Sequence, residues 1–363
     1  MKKNKNYVDL KDQPVPEGQH LLEVDDLKMY FHTEDGVVRA VDGVSYTLDR
    51  GETLGVVGES GSGKSVTAMT IMGLISMPPG KIEGGDVRYR GRSILEMTEE
   101  EMQHIRGNDI AMIFQDPMTS LNPVYKIGKQ VGEGLRLHRG YSKQEALKRA
   151  TELMDLVGIP EPEKRVNEYP HQFSGGMRQR VMIAMALACD PDILIADEPT
   201  TALDVTIQAQ IIELMQEMQE KNGNAIIMIT HDLGVVADMA DKIMVMYAGR
   251  PVEFGTAEEI FYESRHPYTW GLIRSIPEQA IEEKKPLTPI HGNPPSLMNL
   301  PGGCVFSPRC PYATDKCRKQ RPERVVTESG HYSACHYSGD PEFLKNAPET
   351  SRTRKDSKKG GEA

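Results

Sequence analysis

The sequence predicts an α/β fold with three additions: an antiparallel β subdomain at its start, an inserted helical subdomain in its middle and a small cysteine-containing module at its end. Three observations support this prediction. A strand, a glycine-rich turn and a helix follow one another near residue 60, helical periodicity then interrupts the apolar strands, and four of the five cysteines lie close together after residue 300.

The first 50 residues indicate a flexible lead-in followed by antiparallel strands. Residues 1–20 are polar and contain two prolines and a glycine in their second half, which is typical of irregular structure. Residues 21–50 alternate apolar and polar side chains on either side of a turn at 33–36, as half-buried strands do.

The glycine-rich turn fits the phosphate-binding pattern GxxxxGK[ST]. It consists of Gly58, Glu59, Ser60, Gly61, Ser62, Gly63, Lys64 and Ser65. Its glycines let backbone N–H groups turn toward phosphates, Lys64 would bridge the β and γ phosphates, and the Ser65 hydroxyl would ligate Mg²⁺. The following helix adds its positive N-terminal end. The alternative is a turn without a ligand, which the flanking strand and helix disfavour.

A second apolar strand, ILIAD, ends in two acids. Asp197 at the strand end would support the Mg²⁺ shell, and Glu198 could polarise the attacking water as a general base. Taken alone, two adjacent acids could equally be a solvated turn.

The remaining periodicity divides the chain. Helical patterns with proline breakers predict a helical subdomain at about 116–172. It is inserted into an α/β domain of residues 21–260. After the insertion, the pattern predicts helices at 176–188 and 205–221 and strands at 193–197, 225–230 and 243–249. Residues 261–340 are loop-rich and hold the cysteine cluster. We expect the charged residues 341–363 to form a disordered tail.

Composition excludes several classes of protein. A net charge of −10 argues against nucleic acid as the main partner. The apolar stretches fall short of the roughly 18 residues that a membrane-spanning helix needs, and the N-terminus lacks the apolar core of a secretory signal. We therefore expect a cytoplasmic protein.

The clustered cysteines indicate a metal site or free thiols. Cys304, Cys310, Cys317 and Cys335 are separated by five, six and seventeen residues, which matches no common zinc-finger or ferredoxin spacing. Four thiolates in a reducing compartment suit Zn²⁺ or an iron–sulfur cluster. From the residues alone, zinc, a cluster and unligated thiols all remain open.

Further motifs identify a family. The sequence contains IFQDP around Gln115, FSGGM at 173–177, ALD at 202–204 and ITHD at 229–232. With the phosphate loop and the Asp-Glu strand end, these closely resemble, in order, the motifs of ABC transporter ATPases. The resemblance implies an ABC-type P-loop NTPase that hydrolyses ATP. The signature departs from the family's LSGGQ at Met177, which cannot supply a side-chain amide.

The resemblance also implies residue roles. Two such subunits would pair head to tail, so that the signature residues Ser174, Gly175 and Gly176 of one subunit cap the ATP bound by the Lys64 loop of the other. Gln115 would contact Mg²⁺ and sense the γ phosphate, His231 would contact the same phosphate, and Asp204 would communicate across the dimer. An aromatic residue would stack on adenine; Phe31 is preferred over its neighbour Tyr30, although either could be a core residue.

Four further segments, three of them after residue 260, narrow the resemblance. HPYTWGLIRSIP, GNPPSL, GCVFSPRC and FQDPMTSLNP are similar to segments of the oligopeptide and dipeptide permease ATPases. This similarity implies bacterial import of oligopeptides and location at the cytoplasmic face of the cell membrane. It also implies the [4Fe–4S] cluster that some members hold, here on the four cysteines. The implied partners are a related second ATPase, two integral membrane permease subunits and an extracellular peptide-binding protein.

Two alternatives remain. The same subfamily includes importers of dipeptides, nickel or other small solutes, and the ATPase sequence discriminates poorly between cargoes. A soluble ABC protein acting on DNA repair or translation would usually carry a second ATPase cassette or a long coiled-coil insertion. This chain has one phosphate loop and a short helical insert.

Overall fold

The computed structural model describes residues 10–11, 13–116, 120–200, 203–276 and 289–348. Its strands are β1 (Leu22–Thr33), β2 (Gly36–Leu48), β3 (Thr53–Val57), β4 (Gly80–Tyr89), β5 (Arg92–Ser93), β6 (Ile110–Ile113), β7 (Ile193–Asp197), β8 (Ala225–Thr230), β9 (Lys242–Tyr247), β10 (Arg250–Thr256), β11 (Val325–Val326) and β12 (Tyr332–Ser333). Among these residues, no helix is long and apolar enough to cross a lipid bilayer.

The helices of the described residues range from four to eighteen residues in length. They are α1 (Lys64–Ile71), α2 (Glu99–Ile105), α3 (Ile127–Val131), α4 (Glu133–His138), α5 (Lys143–Leu156), α6 (Pro162–Arg165), α7 (Gly175–Leu187), α8 (Val205–Asn222), α9 (Leu233–Met239), α10 (Ala257–Tyr262), α11 (Pro267–Ile273), α12 (Asp315–Lys319) and α13 (Pro341–Leu344). A short 3₁₀ helix covers Pro170–Gln172.

The predicted antiparallel opening is confirmed. A four-stranded sheet has the order β2-β1-β4-β5, and β1 pairs antiparallel with both neighbours. The turn between β1 and β2 lies where the sequence predicted it, because the alternation of apolar residues fixes which face of each strand is buried.

A second, eight-stranded sheet has the order β11-β12-β10-β9-β3-β8-β7-β6. The strands from β9 to β6 are parallel, and β10 and β12 add to the edge in antiparallel fashion. The parallel strands β3, β7 and β8 are buried throughout and are apolar except for one polar residue at an end of each, as expected for a sheet covered on both faces.

Two cores cover the two faces of this sheet. In β7, Leu194 and Ala196 enter a core formed with the helices α3, α4, α5, α7 and α8, whereas Ile193 and Ile195 enter a core formed with the antiparallel sheet. The helices α3 to α6 lie between β6 and β7 in the chain, in the region where the sequence predicted an inserted helical subdomain. Because successive side chains of β7 point to opposite faces, the large sheet packs against the helical subdomain on one face and against the antiparallel sheet on the other.

The C-terminal residues belong to the same framework. β12 pairs with β10 at Glu253 and Phe254, so the end of the chain extends the large sheet. A third core combines Tyr247 of β9 with Tyr268 of α11 and Phe306. The loop-rich prediction for 261–340 missed α11, whose PYTWGLI sequence is short and capped by His266.

The predicted ends of the domain need correction. Leu10 is buried in the core beside the antiparallel sheet, and Lys11 donates hydrogen bonds to the carbonyls of Asn108 and Cys189. The lead-in prediction is therefore wrong at these two residues, because one apolar and one cationic side chain anchor them. The tail prediction is wrong at 341–348: α13 lies there, and Phe343 packs on Trp270. Residues 349–363 lie outside the described residues.

Candidate functional site

The predicted site residues follow neighbouring strands of the large sheet. The phosphate loop follows β3, His231 follows β8, Glu198 follows β7, and Gln115 lies just beyond β6. These four strands are adjacent and parallel, in the order β3-β8-β7-β6. Because their carboxyl ends share one edge of the sheet, residues far apart in sequence are brought together there.

The phosphate loop needs its glycines for both conformation and space. Gly58 and Gly63 have φ angles of 150° and 101°, in the region that L side chains avoid. A Cβ on Gly58 would lie 2.2 Å from the carbonyl oxygen of Met246, and one on Gly63 would lie 2.3 Å from that of Ala40. The loop is therefore clamped against backbone, which fixes its path into α1.

Lys64 lies across this loop. Its ammonium group donates hydrogen bonds to the carbonyls of Gly58 at 2.6 Å and Glu59 at 3.0 Å. Burial lowers the pKa of Lys64, and the carboxylates of Glu198, Asp197 and Glu59 oppose that shift. Lys64 is thus a buried cation with three carboxylates nearby, and its position in the loop allows it to bind a phosphate group.

Ser65 and Asp197 form a contact suited to a hard divalent cation. The Ser65 hydroxyl donates to Oδ1 of Asp197 at 3.0 Å. Burial raises the pKa of Asp197, as does the charge of Glu198, whereas Ser65 and Lys64 lower it. Oxygen donors from a hydroxyl and a carboxylate match the preference of Mg²⁺, so these residues fit the predicted metal role.

Glu198 lies between two polar residues. Nε2 of Gln115 donates to Oε2 of Glu198 at 3.1 Å, and Nδ1 of His231 lies 3.3 Å from Oε1. Glu198 also has a φ of 49°, an uncommon conformation for a residue with a side chain. Such conformations cluster at functional sites, since the surrounding structure must hold them in place. The structure therefore brings together all three residues predicted to be catalytic.

The signature residues lie at the start of α7. Ser174 is the N-cap and accepts a hydrogen bond from the N–H of Met177, while Ser174 and Gly175 are exposed. Because the first N–H groups of a helix lack partners within it, this exposed end can bind an anion supplied from outside. Asp204 caps α8 in the same way, accepting from Ile207 at 3.0 Å.

The two aromatic candidates on β1 have different surroundings. The hydroxyl of Tyr30 donates to Asp42 at 2.9 Å, so its polar end already has a partner. Phe31 is partly buried against the core beside the antiparallel sheet. Stacking of adenine on Phe31 stays a prediction.

Two residues that sequence reasoning missed contact the phosphate loop from the C-terminal region. Arg309 holds both carboxylate oxygens of Glu59, at 2.5 and 2.9 Å. The hydroxyl of Tyr268 accepts a hydrogen bond from the N–H of Glu59 at 2.9 Å. The only signal in the sequence was an acidic residue inside a phosphate loop, since a carboxylate there calls for a cation nearby.

The four cysteines meet in the C-terminal region. Cys304, Cys310, Cys317 and Cys335 line one small cavity of ≈ 20 Å³, together with His336. Burial raises the pKa of Cys310 to about 11 and that of Cys335 to about 12, so without a metal these thiols stay protonated. Across the described ranges, no group of three or more His, Cys, Asp or Glu is arranged to hold a metal ion.

Comparisons with known proteins indicate the same family as the sequence motifs. Residues 41–201 match the family described as ABC transporter, and residues 252–317 match the oligopeptide/dipeptide transporter C-terminal region. The oligopeptide transport ATP-binding protein OppD of Bacillus subtilis (strain 168) is 58% identical over 86% of this chain and 87% of its own length. The dipeptide transport ATP-binding protein DppD of Escherichia coli (strain K12) is 52% identical over 88% and 97%, respectively.

Solved structures show the same fold. The ATP-binding cassette MJ0796, determined as a dimer in a post-hydrolysis state with ADP and phosphate, is 28% identical and aligns with a TM-score of 0.60, covering 65% of this chain and 98% of its own. Fold, strand-edge geometry and sequence relatives therefore converge: this chain belongs to the ABC transporter family, among the ATP-hydrolysing subunits that carry the oligopeptide/dipeptide transporter C-terminal region.

Proposed function

We propose that this ATPase powers the import of oligopeptides through a membrane permease. The observation that carries the catalytic part is the contact of Glu198 with both Gln115 and His231, beside the Ser65–Asp197 pair at the same sheet edge. The peptide cargo rests on the relatives, whose names describe oligopeptide and dipeptide transport.

In the proposed reaction, the loop amides and Lys64 bind the β and γ phosphates of ATP. Mg²⁺, held through Ser65, Asp197 and Gln115, would neutralise phosphate charge. Glu198 accepts a proton from water as the water oxygen attacks the γ phosphorus, and the bond to the ADP oxygen breaks to release ADP and phosphate. His231 orients Glu198 and contacts the γ phosphate.

We further propose a sandwich of two ATPase subunits, with a related but distinct chain as the partner. The exposed start of α7, at Ser174, Gly175 and Gly176, would complete the partner's site, and Asp204 would lie at the junction. The dimeric state of the related cassette MJ0796 supports this arrangement. Loss of the γ phosphate would remove the group that both subunits bind, and so open the pair.

The proposed location is the cytoplasmic face of the cell membrane, bound to two integral permease subunits that an extracellular peptide-binding protein supplies. Affinity purification of the chain from solubilised membranes tests this. We expect two integral subunits and a second ATPase to co-purify, and their deletion to abolish uptake of a labelled oligopeptide. Recovery with ribosomes or DNA alone would contradict the proposal.

Uptake measurements in cells separate the cargo alternatives. Uptake of labelled dipeptide, longer peptide and ⁶³Ni²⁺ is compared between cells with the wild-type chain and cells with Lys64→Ala. We expect the variant to lose uptake of the longer peptide. Loss of dipeptide or nickel uptake with intact uptake of longer peptides would reassign the cargo.

We also propose that the four-cysteine cavity holds a [4Fe–4S] cluster, with Zn²⁺ as the alternative. The support is that four thiols, two buried and two half-buried, line one cavity and form a donor set whose chemistry suits either group. A bound cluster would cross-link four separate points of a loop-rich region. Anaerobic purification with assays of iron, sulfide and zinc decides between them, and thermal unfolding of a variant with all four cysteines replaced by serine measures the contribution to stability. Absence of all three elements would contradict a metal site.

A further inference from the structure

We propose that Arg309 is a positioning residue for nucleotide binding, which neutralises and immobilises the carboxylate of Glu59 in the phosphate loop. ATP affinity would then depend on a residue of the C-terminal region. The inference rests on the proposed ATP site at Lys64 and adds a contact that lies outside the phosphate-loop motif.

Glu59 places a negative charge where a negative ligand binds. It is the second residue of the loop, and its backbone carbonyl accepts a hydrogen bond from Lys64 at 3.0 Å. Its side chain is 30% exposed, so water screens it only in part. An unpaired carboxylate at this position would repel the phosphates of ATP, because charges several ångströms apart in a partly buried site still interact appreciably.

Arg309 removes this repulsion with a two-point contact. Its two terminal nitrogens lie 2.5 and 2.9 Å from the two oxygens of Glu59, the bidentate geometry that a planar guanidinium provides. The contact therefore fixes the direction of the carboxylate as well as cancelling its charge.

Arg309 is itself rigidly held. Its side chain is 4% exposed, Nε donates to the carbonyl of His291 at 2.9 Å, and a terminal nitrogen donates to that of Ile290 at 3.1 Å. The guanidinium also lies over the ring of Tyr247 on β9, 5.8 Å from its centre. A pre-positioned cation of this kind loses little freedom when it pairs with Glu59.

Tyr268 supports the same loop residue from a second direction. Its hydroxyl accepts from the N–H of Glu59 at 2.9 Å, and its ring packs against Tyr247 and Phe306. Both the side chain and the backbone of Glu59 are therefore held by residues that follow the core strands. Two independent contacts on one loop residue favour a positioning role over an incidental surface ion pair.

A double substitution tests the proposal. The full-length chain is prepared as wild type, as Arg309→Ala and as Arg309→Ala with Glu59→Gln, and the Kd for Mg·ATP is measured at about 50 and about 500 mM salt. We expect Arg309→Ala to raise Kd about five- to tenfold at low salt, and less at high salt, because screening weakens repulsion from Glu59. The double variant should return to within about twofold of wild type, since the unpaired charge is gone.

The outcomes are separable from a loss of structure. A Kd unchanged in Arg309→Ala, a loss insensitive to salt, or no recovery in the double variant would overturn the proposal. If Arg309→Ala lacks a cooperative thermal transition, Arg309→Lys and Arg309→Gln replace it: several-fold tighter ATP binding by the lysine variant supports the proposal, and equal binding overturns it. Arg318→Ala, an exposed arginine of the same region paired with Asp315, is the matched control and should bind ATP like wild type.

Lys64→Ala separates this inference from the proposed function. If Lys64→Ala binds ATP as wild type does, the assignment of the phosphate site is wrong. If Lys64→Ala loses ATP binding while Arg309→Ala retains it, only the proposed role of Arg309 is wrong. In the assembled transporter, Arg309→Ala should raise the KM for ATP and leave kcat unchanged, because Arg309 does not touch the reacting atoms.

Discussion

The strand-edge site and the C-terminal region are organised by different means. At the strand edge, Ser65, Gln115, Asp197, Glu198 and His231 come together because their strands are parallel neighbours. In the C-terminal region, short helices and two-residue strands are joined by aromatic side chains such as Trp270 and Phe343. Strand pairing thus positions the catalytic side chains, whereas aromatic packing positions the short helices and strands of the C-terminal region. The two regions should respond differently to substitution.

The largest expected effect lies at the strand edge. Replacing Glu198 with Gln should lower ATP turnover by about 10²- to 10⁴-fold, because the amide cannot accept the proton from water. ATP binding should persist, since Lys64 and the loop remain. Steady-state hydrolysis and equilibrium ATP binding measure the two effects, with the exposed Glu100→Gln as the matched control. Turnover close to wild type would remove Glu198 from the role of general base.

In the C-terminal region, the largest effect should be on stability. Trp270 is fully buried, donates from Nε1 to the carbonyl of Ser264 at 2.9 Å, and packs on Tyr312 and Phe343. Trp270→Ala should cost about 3 to 5 kcal/mol of unfolding free energy, as large aromatic deletions do. Urea unfolding followed by circular dichroism measures it. Trp270→Phe, which keeps a ring and loses the hydrogen bond, should cost less; equal costs would assign the effect to the hydrogen bond alone.

Acid should weaken the same region through His266. Burial lowers the pKa of His266 from 6.5 to about 3, so between these values the unfolded chain binds a proton that the folded chain does not. The stabilisation is complete above pH 6.5 and falls as the pH drops toward 3, by about 2 kcal/mol at pH 5. Urea midpoints at pH 7 and pH 5 should therefore differ.

A substitution isolates this histidine from other titrating groups. Nδ1 of His266 accepts the N–H of Tyr268 at 3.1 Å, and asparagine can replace that helix cap without titrating. The loss of stability between pH 7 and pH 5 should be smaller in His266→Asn by about 2 kcal/mol. An identical pH dependence in the variant would mean that another group is responsible.

The smallest expected effect separates two roles of Asp204. Its side chain caps α8, so Asp204→Ala should lose about 1 kcal/mol of stability, and Asp204→Asn, which can still accept the hydrogen bond, should lose little. Chemical unfolding of both variants measures the capping. If Asp204→Asn unfolds like wild type and yet alters the cooperativity of ATP hydrolysis, the residue acts between subunits as well. If both variants are as stable as wild type, the capping hydrogen bond contributes no measurable stability.

These differences explain what could be predicted from the sequence. Glu198 and His231 were predictable because each follows a recognisable apolar strand, and Ser65 belongs to the phosphate-loop pattern. Gln115 was identified only through the family motif IFQDP, since no strand was predicted before it. Arg309 was not predictable, because its partner Glu59 is 250 positions away and no local periodicity relates them. The anchoring of Leu10 was missed for the same reason: one buried apolar side chain in a polar segment leaves no repeating pattern.

The pairing of β12 with β10 sets a lower limit on how far the chain can be shortened. β10 lies between β9 and β12, so a chain ending before β12 would expose the backbone N–H and C=O groups of β10 along one side. Unpaired sheet edges recruit other strands and promote aggregation. Residues 332 and 333 therefore protect the solubility of a sheet whose catalytic strands lie on its opposite half, and a fragment trimmed to the motif-bearing residues would lose that protection.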